Sequence, residues 1–435
     1  MTTIAEVKLW GSTIGAVVLE DDQPATSFQY DPDFARSGIQ VAPLTMPLSD
    51  RVYSFGALSQ QSFHGLPGLL ADSLPDRFGE ALIDAWLARQ GRTPDSLNAV
   101  ERLCYTGQRG MGALEFAPAT GPAPTNDTLL QVDRLVKLAS EILTRRDGLL
   151  TSFTEEDNSE AMADILRVGT SAGGARAKAV IAWNPQTNEI RSGQIGAEEN
   201  FEYWMLKFDG VSNNRDKELA DPQGYGVIEY AYSKMAIDCG ITMSDCRLLE
   251  EGGRRHFMTR RFDRPAGGGK LHMQSLAAIA HLDFNQAGAH SYEQAFDAMR
   301  RLELPATATA ELFGRMVFNI VARNQDDHVK NIAFLMDRSG NWSLAPAFDM
   351  TYSYQPGGRW TSTHQMTING KRGDFTLDDL HACGKSASLK RGQAKTILNE
   401  VRDVVLRWCD YADEAGVNPN QRDKIQDTLR LTPFE

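Results

Sequence analysis

The segment Asn324–Asn331 combines residue types that can accept a proton and bind a hard cation. Its letters are Asn-Gln-Asp-Asp-His-Val-Lys-Asn, so four residues separate Asp326 from Asn331. Phosphoryl transfer uses a proton-accepting aspartate and a magnesium-binding asparagine at this spacing. Asp326 would accept the proton of a substrate hydroxyl, and the amide oxygen of Asn331 would bind Mg²⁺, which prefers oxygen ligands. Asp327 would leave only three residues between them. The alternative interpretation is a polar turn after a helix.

The residues after this loop favour the chemical interpretation. An apolar run at 332–336, a turn at 337–341 and a second apolar run at 342–344 predict a β-hairpin, after which Ala-Pro-Ala-Phe-Asp leads to Asp349. The open end of such a hairpin brings Asn331 and Asp349 close together. Asp349 would therefore be the second Mg²⁺ ligand, in the position of a kinase metal-binding aspartate.

Two basic residues lie inside the same loop. His328 is expected to be a neutral residue that orients its neighbours, because Asp326 is the better proton acceptor. Lys330 either contacts phosphate or is solvated. The remaining histidines are scattered through the chain and suggest no zinc site.

A glycine-rich segment and a lysine are the candidates for phosphate binding. Residues 169–178 read Gly-Thr-Ser-Ala-Gly-Gly-Ala-Arg-Ala-Lys, and small residues of this kind let backbone N–H groups approach phosphate oxygens. The segment has no lysine directly after its glycines, so a tight hairpin turn is the alternative. Lys207 closes the apolar stretch that begins at Tyr203, as the kinase lysine does, although a lysine that extends from a strand end to solvent is equally consistent.

The remaining patterns describe the elements around these residues. Alternating apolar residues near the start predict a β-meander, and helices are predicted around Phe78–Arg89 and Leu129–Leu143. Strands are predicted around the glycine-rich segment, from about 165 to 210. Helical spacing predicts further helices, and the prolines and glycine of 117–125 predict a linker. The apolar spacings that predict these helices are Ile228, Ala231, Tyr232 and Met235 with an end near Gly240, then Leu312, Met316 and Ile320, then one long helix with Ile397, Val401, Val404, Val405 and Trp408 on one face.

Composition sets the class of protein. The chain has 435 residues, 42% hydrophobic and 23% charged, which is ordinary for a globular protein of two or more domains. A net charge of −12 argues against a general nucleic-acid binder. No apolar run of membrane length and no signal peptide is visible, and the five cysteines are scattered. We therefore expect a cytoplasmic protein without structural zinc and without a membrane partner.

Several motifs, in one order, resemble the HipA family of kinases, and the resemblance covers nearly the whole chain. The order of the motifs is more specific than any one of them. The motifs are Val7-x-Leu9-Trp10 with Gly15, Leu74-Pro75-Asp76-Arg77, Gly110-x-Gly112-Ala113-Leu114, Gly174-Ala175-x-x-Lys178, Arg261-Phe262-Asp263-Arg264, Asp326-x-His328-x-Lys330-Asn331 and Leu344-Ala345-Pro346-x-Phe348-Asp349.

The resemblance implies an α+β, two-lobed, protein-kinase-like fold with a β-rich N-terminal subdomain and a mostly helical C-terminal lobe. It implies an N-terminal subdomain at 1–120, a nucleotide-binding lobe at 121–265 and a helical lobe at 266–435. ATP and Mg²⁺ are the implied cofactors, with Asp326 as catalytic base and Asn331 and Asp349 as Mg²⁺ ligands. Further residues are implied to contact ATP. They are Gly173, Gly174, Ala175, Arg176, Ala177, Lys178, Lys207, Arg260, Phe262, His328, Lys330, Asn331 and Asp349.

Regulation and partners also follow from the resemblance. Ser171 lies where the family carries an autophosphorylated serine, whose phosphate would expel the loop and silence the kinase; the alternative is a serine chosen for its turn chemistry. Family members act as toxins that arrest growth by phosphorylating a protein substrate, typically an aminoacyl-tRNA synthetase. They pair with a small HipB-like helix-turn-helix antitoxin, and operator DNA would be contacted only within that complex.

Two departures and two other functions stay open at this point. Arg260 stands where relatives carry an acidic residue, which matters little if only its backbone touches adenine. Asp327 adds a second acidic residue beside Asp326, so repulsion would raise one pKa. The other functions are a catalytically weak corepressor that binds an antitoxin, which the intact catalytic set disfavours, and a kinase for a small molecule.

Overall fold

The computed structural model divides into two compact units. The first consists of residues 1–41, 48–226 and 247–273, and the second of 42–47, 227–246 and 274–435. The structure describes residues 2–93, 96–121, 129–144, 162, 164–166, 168–169, 176–193, 200–211, 224–265 and 268–432. The interpretations of Ser171, Gly173, Gly174 and Ala175 lie outside these residues. The domain limits at 120 and 265 stay predictions.

The first unit begins with a five-stranded antiparallel sheet, as the alternating pattern predicts. Its strand order is β4-β3-β2-β1-β5, and inward residues such as Val7 and Phe28 are fully buried. Three very short helices and the longer α4 and α5 accompany the sheet. The elements are β1 (Thr3–Leu9), β2 (Ser12–Leu19), β3 (Ser27–Tyr30), α1 (Pro32–Ala35), β4 (Tyr53–Ser54), α2 (Gln60–Phe63), α3 (Gly68–Ala71), α4 (Arg77–Arg89), α5 (Ala99–Thr106) and β5 (Leu114–Ala117).

A second antiparallel sheet in the same unit carries the candidate phosphate-binding lysines. Its order is β7-β6-β8-β10-β9, and α4 and α6 share a buried core with it through Leu82, Val136, Ile181 and Leu206. The first strand begins only at Lys178, and residues 164–166 are helical, so the strand prediction was wrong at its N-terminal end. The elements are α6 (Val132–Thr144), β6 (Lys178–Trp183), β7 (Ile190–Ser192), β8 (Glu202–Lys207), β9 (Cys246–Glu251) and β10 (Arg254–Arg260).

The second unit is mostly helical, with a three-stranded sheet of order β11-β12-β13. The predicted hairpin is confirmed, because Phe334 pairs with Leu344 and Met336 with Trp342 in antiparallel register. The elements are α7 (Tyr225–Asp238), β11 (His272–Ser275), α8 (Leu276–Ile279), α9 (Tyr292–Arg301), α10 (Ala306–Val321), a 3₁₀ turn (Val329–Asn331), β12 (Ala333–Met336), β13 (Trp342–Leu344), α11 (Leu377–Ser386), α12 (Gln393–Val405), α13 (Trp408–Ala415) and α14 (Pro419–Gln426).

The helix predictions of the second unit are confirmed with one correction. Gly240 adopts φ +76° just beyond α7, and its backbone N–H bonds back to the helix, as a glycine after a helix end does. The prediction of one long helix through Ile397 and Trp408 was wrong. The chain turns at residues 406–407, so Trp408 opens α13, where its ring lies 5.2 Å from that of Tyr232.

The fold class is therefore confirmed as α+β, with a β-rich start and a mostly helical second unit. Within the described part of the chain, no helix is both long and apolar enough to cross a membrane.

Candidate active site

The polar loop between α10 and β12 is fixed by its backbone. Arg323 adopts φ +58° directly after α10 and turns the chain out of the helix. The N–H of Gln325 then donates to the carbonyl of Ser353 at 3.0 Å, and the N–H of Ser353 donates to the carbonyl of Arg323 at 3.0 Å. These two bonds hold the start of the loop against residues 351–353. The backbone directly before Asp326 is therefore well anchored.

Asp326 presents an accessible carboxylate, as a proton acceptor requires. Its side chain is 48% exposed, and Nε2 of His328 lies 4.0 Å from its Oδ1. Nδ2 of Asn331 donates to the backbone carbonyl of Asp326 at 2.8 Å. This bond uses one of the two N–H donors of the Asn331 amide and leaves the amide oxygen available as a cation ligand.

Asn331 and Asp349 line one cleft of the second unit, as the hairpin predicts. Asn331 ends the 3₁₀ turn before β12, and Asp349 follows β13 with φ +53°, an uncommon conformation for a residue other than glycine. Other polar residues also line this cleft, namely Tyr292, Asn324, Asp327 and His328. Asn324 Oδ1 and His328 Nδ1 are buried and make no hydrogen bond with the residues the structure describes.

These donors fit Mg²⁺. The cleft offers the carboxylate of Asp349 and the amide oxygen of Asn331, both hard ligands, and Mg²⁺ usually takes only one or two protein carboxylates and keeps several waters. The described residues contain no cluster of three or more His, Cys, Asp or Glu side chains that could hold a metal ion.

Asp327 is a structural neighbour of the candidate base, and its role was missed from the sequence. It is buried, and its carboxylate accepts hydrogen bonds from the Tyr292 hydroxyl at 2.9 Å and the backbone N–H of Gln365 at 2.8 Å. Nδ1 of His364 lies 2.9 Å from Oδ2. Burial acts to raise the pKa of Asp327, but His364 and these bonds outweigh it and hold the pKa below its usual value. Asp327 is therefore not a member of the pair whose pKa repulsion raises.

The two other loop residues lie beside an aromatic ring. Nζ of Lys330 is 4.2 Å from the ring centroid of Phe284, and the ring of His328 is 6.4 Å from it. The lysine therefore makes a cation–π contact in this structure.

In the first unit, two lysines stand directly opposite each other. Lys178 and Lys207 are Cα partners in the antiparallel pairing of β6 and β8, and both are buried. Opposed like charges destabilise a sheet, so this arrangement calls for an anion. Nζ of Lys178 lies 2.8 Å from Oδ2 of Asp76, which is also buried. No sequence pattern predicted this pairing, although Asp76 belongs to one of the recognised motifs.

The other candidate nucleotide contacts lie at the ends of these strands. The guanidinium of Arg176 lies 4.8 Å from the ring centroid of Tyr225, and the carbonyl of Ala177 accepts a bond from the N–H of Phe208. Arg260 ends β10 with its guanidinium 3.7 Å from a carboxylate oxygen of Glu202. Phe262, two residues beyond β10, is partly exposed.

A buried aspartate organises the chain just beyond β10. Asp263 accepts from the guanidinium of Arg261 at 2.9 and 2.6 Å, from that of Arg264 at 2.7 Å and from the N–H of Gly112 at 2.7 Å. Burial acts to raise its pKa, but the two arginines outweigh that effect and hold the pKa at about 2. Arg264 also donates to the carbonyl of Gly112. Two motifs of the resemblance thus form one cluster.

Comparison with known proteins assigns the family. The HipA N-terminal domain matches residues 5–117, and the HipA-like C-terminal domain matches residues 170–408. A Sinorhizobium fredii protein named "Putative kinase Y4mE" is 27% identical over 214 residues, or 46% of this chain and 49% of that protein. The chain thus spans about half the length of this curated relative.

A solved structure matches over nearly the full length. It is that of the Shewanella oneidensis toxin–antitoxin system HipA, HipB and operator DNA complex, with a TM-score of 0.66, 16% identity, and coverage of 97% of this chain and 94% of that one. This likeness concerns the fold. Since the HipA-like C-terminal domain alone accounts for more than half of the chain, the protein belongs to the HipA family.

Proposed function

We propose that the chain is an ATP- and Mg²⁺-dependent Ser/Thr protein kinase that acts as the toxin of a HipA/HipB-type toxin–antitoxin system. One observation carries the proposal. The second unit presents an accessible carboxylate at Asp326, and five residues further on Asn331 bonds to the backbone of Asp326 and lines one cleft with Asp349. This is the set that phosphoryl transfer requires.

Each of these residues has one task. Asp326 orients the substrate hydroxyl and takes its proton as the oxygen attacks phosphorus. Asn331 and Asp349 would hold Mg²⁺, which would neutralise charge on the phosphate oxygens. His328 and Lys330 lie beside the base and are proposed to contact the nucleotide.

The first unit is proposed to hold the nucleotide. Lys207 and Lys178 supply paired positive charge for phosphate, and Arg176 and Ala177 precede them in the glycine-rich segment. Backbone groups around Arg260 and Phe262 are proposed to contact adenine. Asp76 would hold Lys178 in place, because the two groups already form a buried ion pair.

Regulation and partners extend the proposal. Gly173, Gly174 and Ala175 are proposed to cover the phosphates, and autophosphorylation of Ser171 to silence the enzyme. The proposed partner is a HipB-like helix-turn-helix antitoxin, since the matching solved structure is a complex with HipB and operator DNA. The proposed substrate is a translation protein such as an aminoacyl-tRNA synthetase.

Labelling with ATP tests the enzyme. Purified full-length protein is incubated with Mg²⁺ and labelled ATP beside Asp326→Ala, and the phosphorylated positions are located by mass spectrometry. We expect phosphate on Ser171 in the wild type and none in the variant. Asp403→Ala is the matched control, because this aspartate is exposed and, among the residues that the structure describes, forms an ion pair only with Arg402 at 3.7 Å.

The same experiment separates the alternatives. A wild type that binds ATP but labels neither itself nor any protein in a lysate would contradict the kinase and favour a binding module. Label transferred only to a small molecule would contradict the protein substrate. Phosphoproteomics of cells that express wild type or Asp326→Ala then identifies the substrate.

A further inference from the structure

A continuous chain of buried hydrogen bonds joins the two ends of the candidate site. Starting from Asp327, the Tyr292 hydroxyl donates to the carboxylate at 2.9 Å and accepts from Nδ2 of Asn319 at 3.0 Å. Oδ1 of Asn319 accepts from Nδ2 of Asn324 at 2.9 Å, and the same Nδ2 lies 3.4 Å from the carbonyl of Asp349. The chain thus runs from the neighbour of the base to the backbone of the metal ligand.

The members of this chain are held by separate elements of the second unit. Tyr292 is the first residue of α9, whose start is fixed by a capping box between Ser291 and Gln294. Asn319 lies in the last turn of α10. The side chains of the network are all buried, namely Asp327, Tyr292, Asn319 and Asn324. Polar groups so buried are costly unless satisfied, so the network favours one arrangement of these elements.

Both ends of the network need such support. Asp326 must keep its exposed carboxylate in one direction, although its own side chain makes few contacts. Asp349 has the left-handed backbone conformation, which persists only where the surrounding structure imposes it. A bond to the carbonyl of Asp349 and an anchored peptide at Asp327 supply that constraint.

We propose that Asp327 and Tyr292 are positioning residues, which keep the base Asp326 and the metal ligand Asp349 at one fixed spacing. Both line the cleft of Asn331 and Asp349, but the Tyr292 hydroxyl and the Asp327 carboxylate are engaged with protein groups, so their proposed action is through the network. The inference rests on the proposed kinase function and adds to it. It predicts that removal of the Tyr292 hydroxyl alone, which changes no charge, lowers both the rate of phosphoryl transfer and the affinity for the cation.

The experiment uses Tyr292→Phe in the full-length protein. We expect kcat to fall about 10-fold, which corresponds to about 1.4 kcal/mol of barrier. We expect the Kd for Mn²⁺, measured by its paramagnetic signal as a stand-in for Mg²⁺, to rise several-fold. Hydrogen exchange of the backbone amides 326–331 should become faster. Tyr411→Phe is the matched control, because that hydroxyl bonds only to Asp238 and Arg407 among the described residues.

A double-mutant cycle distinguishes positioning from general loss of stability. Asn324→Ala breaks the network at its other end, so its effect on Mn²⁺ affinity should not add to that of Tyr292→Phe. Additive losses of Mn²⁺ affinity would overturn the positioning role. So would a Tyr292→Phe protein with unchanged kcat, Mn²⁺ affinity and hydrogen exchange. In either case an active wild type would still support the proposed kinase function. A wild type with no Asp326-dependent transfer would overturn both proposals.

Discussion

Two fully buried aspartates show how differently one residue type is stabilised in the two units. Asp263 of the first unit is surrounded by two guanidinium groups and one backbone N–H. Asp327 of the second unit faces a hydroxyl, a backbone N–H and an imidazole. Asp263 thus neutralises charge and ties two segments of chain together. Asp327 shapes a loop that carries the candidate base.

The different partners of the two aspartates indicate different roles, one in the stability of the fold and one in the geometry of the candidate site. The guanidinium groups supply the counter-charge that a buried carboxylate needs, and bidentate pairing also fixes its geometry, so they contribute mainly to the stability of the fold. The bonds from the Tyr292 hydroxyl and the Gln365 N–H carry no counter-charge, so they contribute less stability and mainly orient the Asp327 carboxylate. We infer that removal of Asp263 acts mainly on folding, whereas disturbance of the Asp327 network acts mainly on the site.

The largest effect is expected from Asp263→Asn. Loss of the carboxylate leaves Arg261 and Arg264 buried without a counter-charge, and breaking a buried pair from one side costs about 3–5 kcal/mol. Urea unfolding followed by circular dichroism measures this loss. Asp297→Asn is the control: its partner Arg300 lies 2.8 Å away but both are more than half exposed, so the cost should stay below about 1 kcal/mol.

The contrast between the two aspartates fails if Asp327→Asn lowers the free energy of unfolding as much as Asp263→Asn does. Two of its three partners, the Tyr292 hydroxyl and the Gln365 N–H, are uncharged, and only His364 can carry charge, so we expect a smaller loss of about 1–3 kcal/mol. Equal losses at the two positions would mean that Asp327 is also an assembly residue. The distinction between charge compensation and directional bonding would then have no support.

Gly112→Ala should give the next largest effect. Gly112 has φ +75°, and an added Cβ would lie 2.9 Å from the backbone nitrogen of Met273, while its own N–H bonds Asp263. Strain and clash together should cost about 2–3 kcal/mol. Gly268→Ala is the matched control, since φ is +84° with no atom within 4 Å, and about 1 kcal/mol is expected. Equal costs at both glycines would show that the close approach is unimportant.

The sequence could predict the site of the second unit well because its parts are local. Asp326, Asn331 and Asp349 are separated by short, strongly patterned segments, and a hairpin has few possible geometries. The break between Val405 and Trp408 was missed because apolar spacing continues through the turn at 406–407. Periodicity records which residues are buried, and two consecutive helices can bury the same residues as one.

The contacts that sequence reasoning missed are distant in the chain. Lys178 and Asp76 are about a hundred residues apart in the sequence, and Asp263 and Gly112 are farther apart still. Tyr292 and His364 reach Asp327 from opposite sides in sequence. No spacing rule links such residues, since their proximity depends on how whole elements pack. The motifs of the resemblance include Asp76, Gly112, Lys178 and Asp263 but did not predict these contacts, and they do not include Tyr292 or His364.

Acid conditions should give a smaller effect at Asp263. The folded pKa of about 2 lies below the ordinary 3.8, so the charged form contributes stability that is present above pH 3.8 and lost as the pH falls through 2. The shift corresponds to about 2 kcal/mol. Unfolding free energies between pH 2 and 5 measure it. In Asp263→Asn, the unfolding free energy should fall by about 2 kcal/mol less than in the wild type over this pH range. If the two proteins lose the same free energy, the arginines do not compensate the charge of Asp263.

The smallest effect is expected from Arg260→Ala. The side chain of Arg260 reaches Glu202 at 3.7 Å and is about one-third exposed, so this pair should contribute less than about 1 kcal/mol. If adenine is contacted by the backbone at 260–262, the substitution leaves those groups in place, and the Kd for ATP should change by less than about 3-fold. Isothermal titration calorimetry with ATP measures this Kd, and Glu202→Gln is the paired control. A loss of 10-fold or more in Arg260→Ala but not in Glu202→Gln would show that the guanidinium itself binds the nucleotide, and the departure at this position would then be functional.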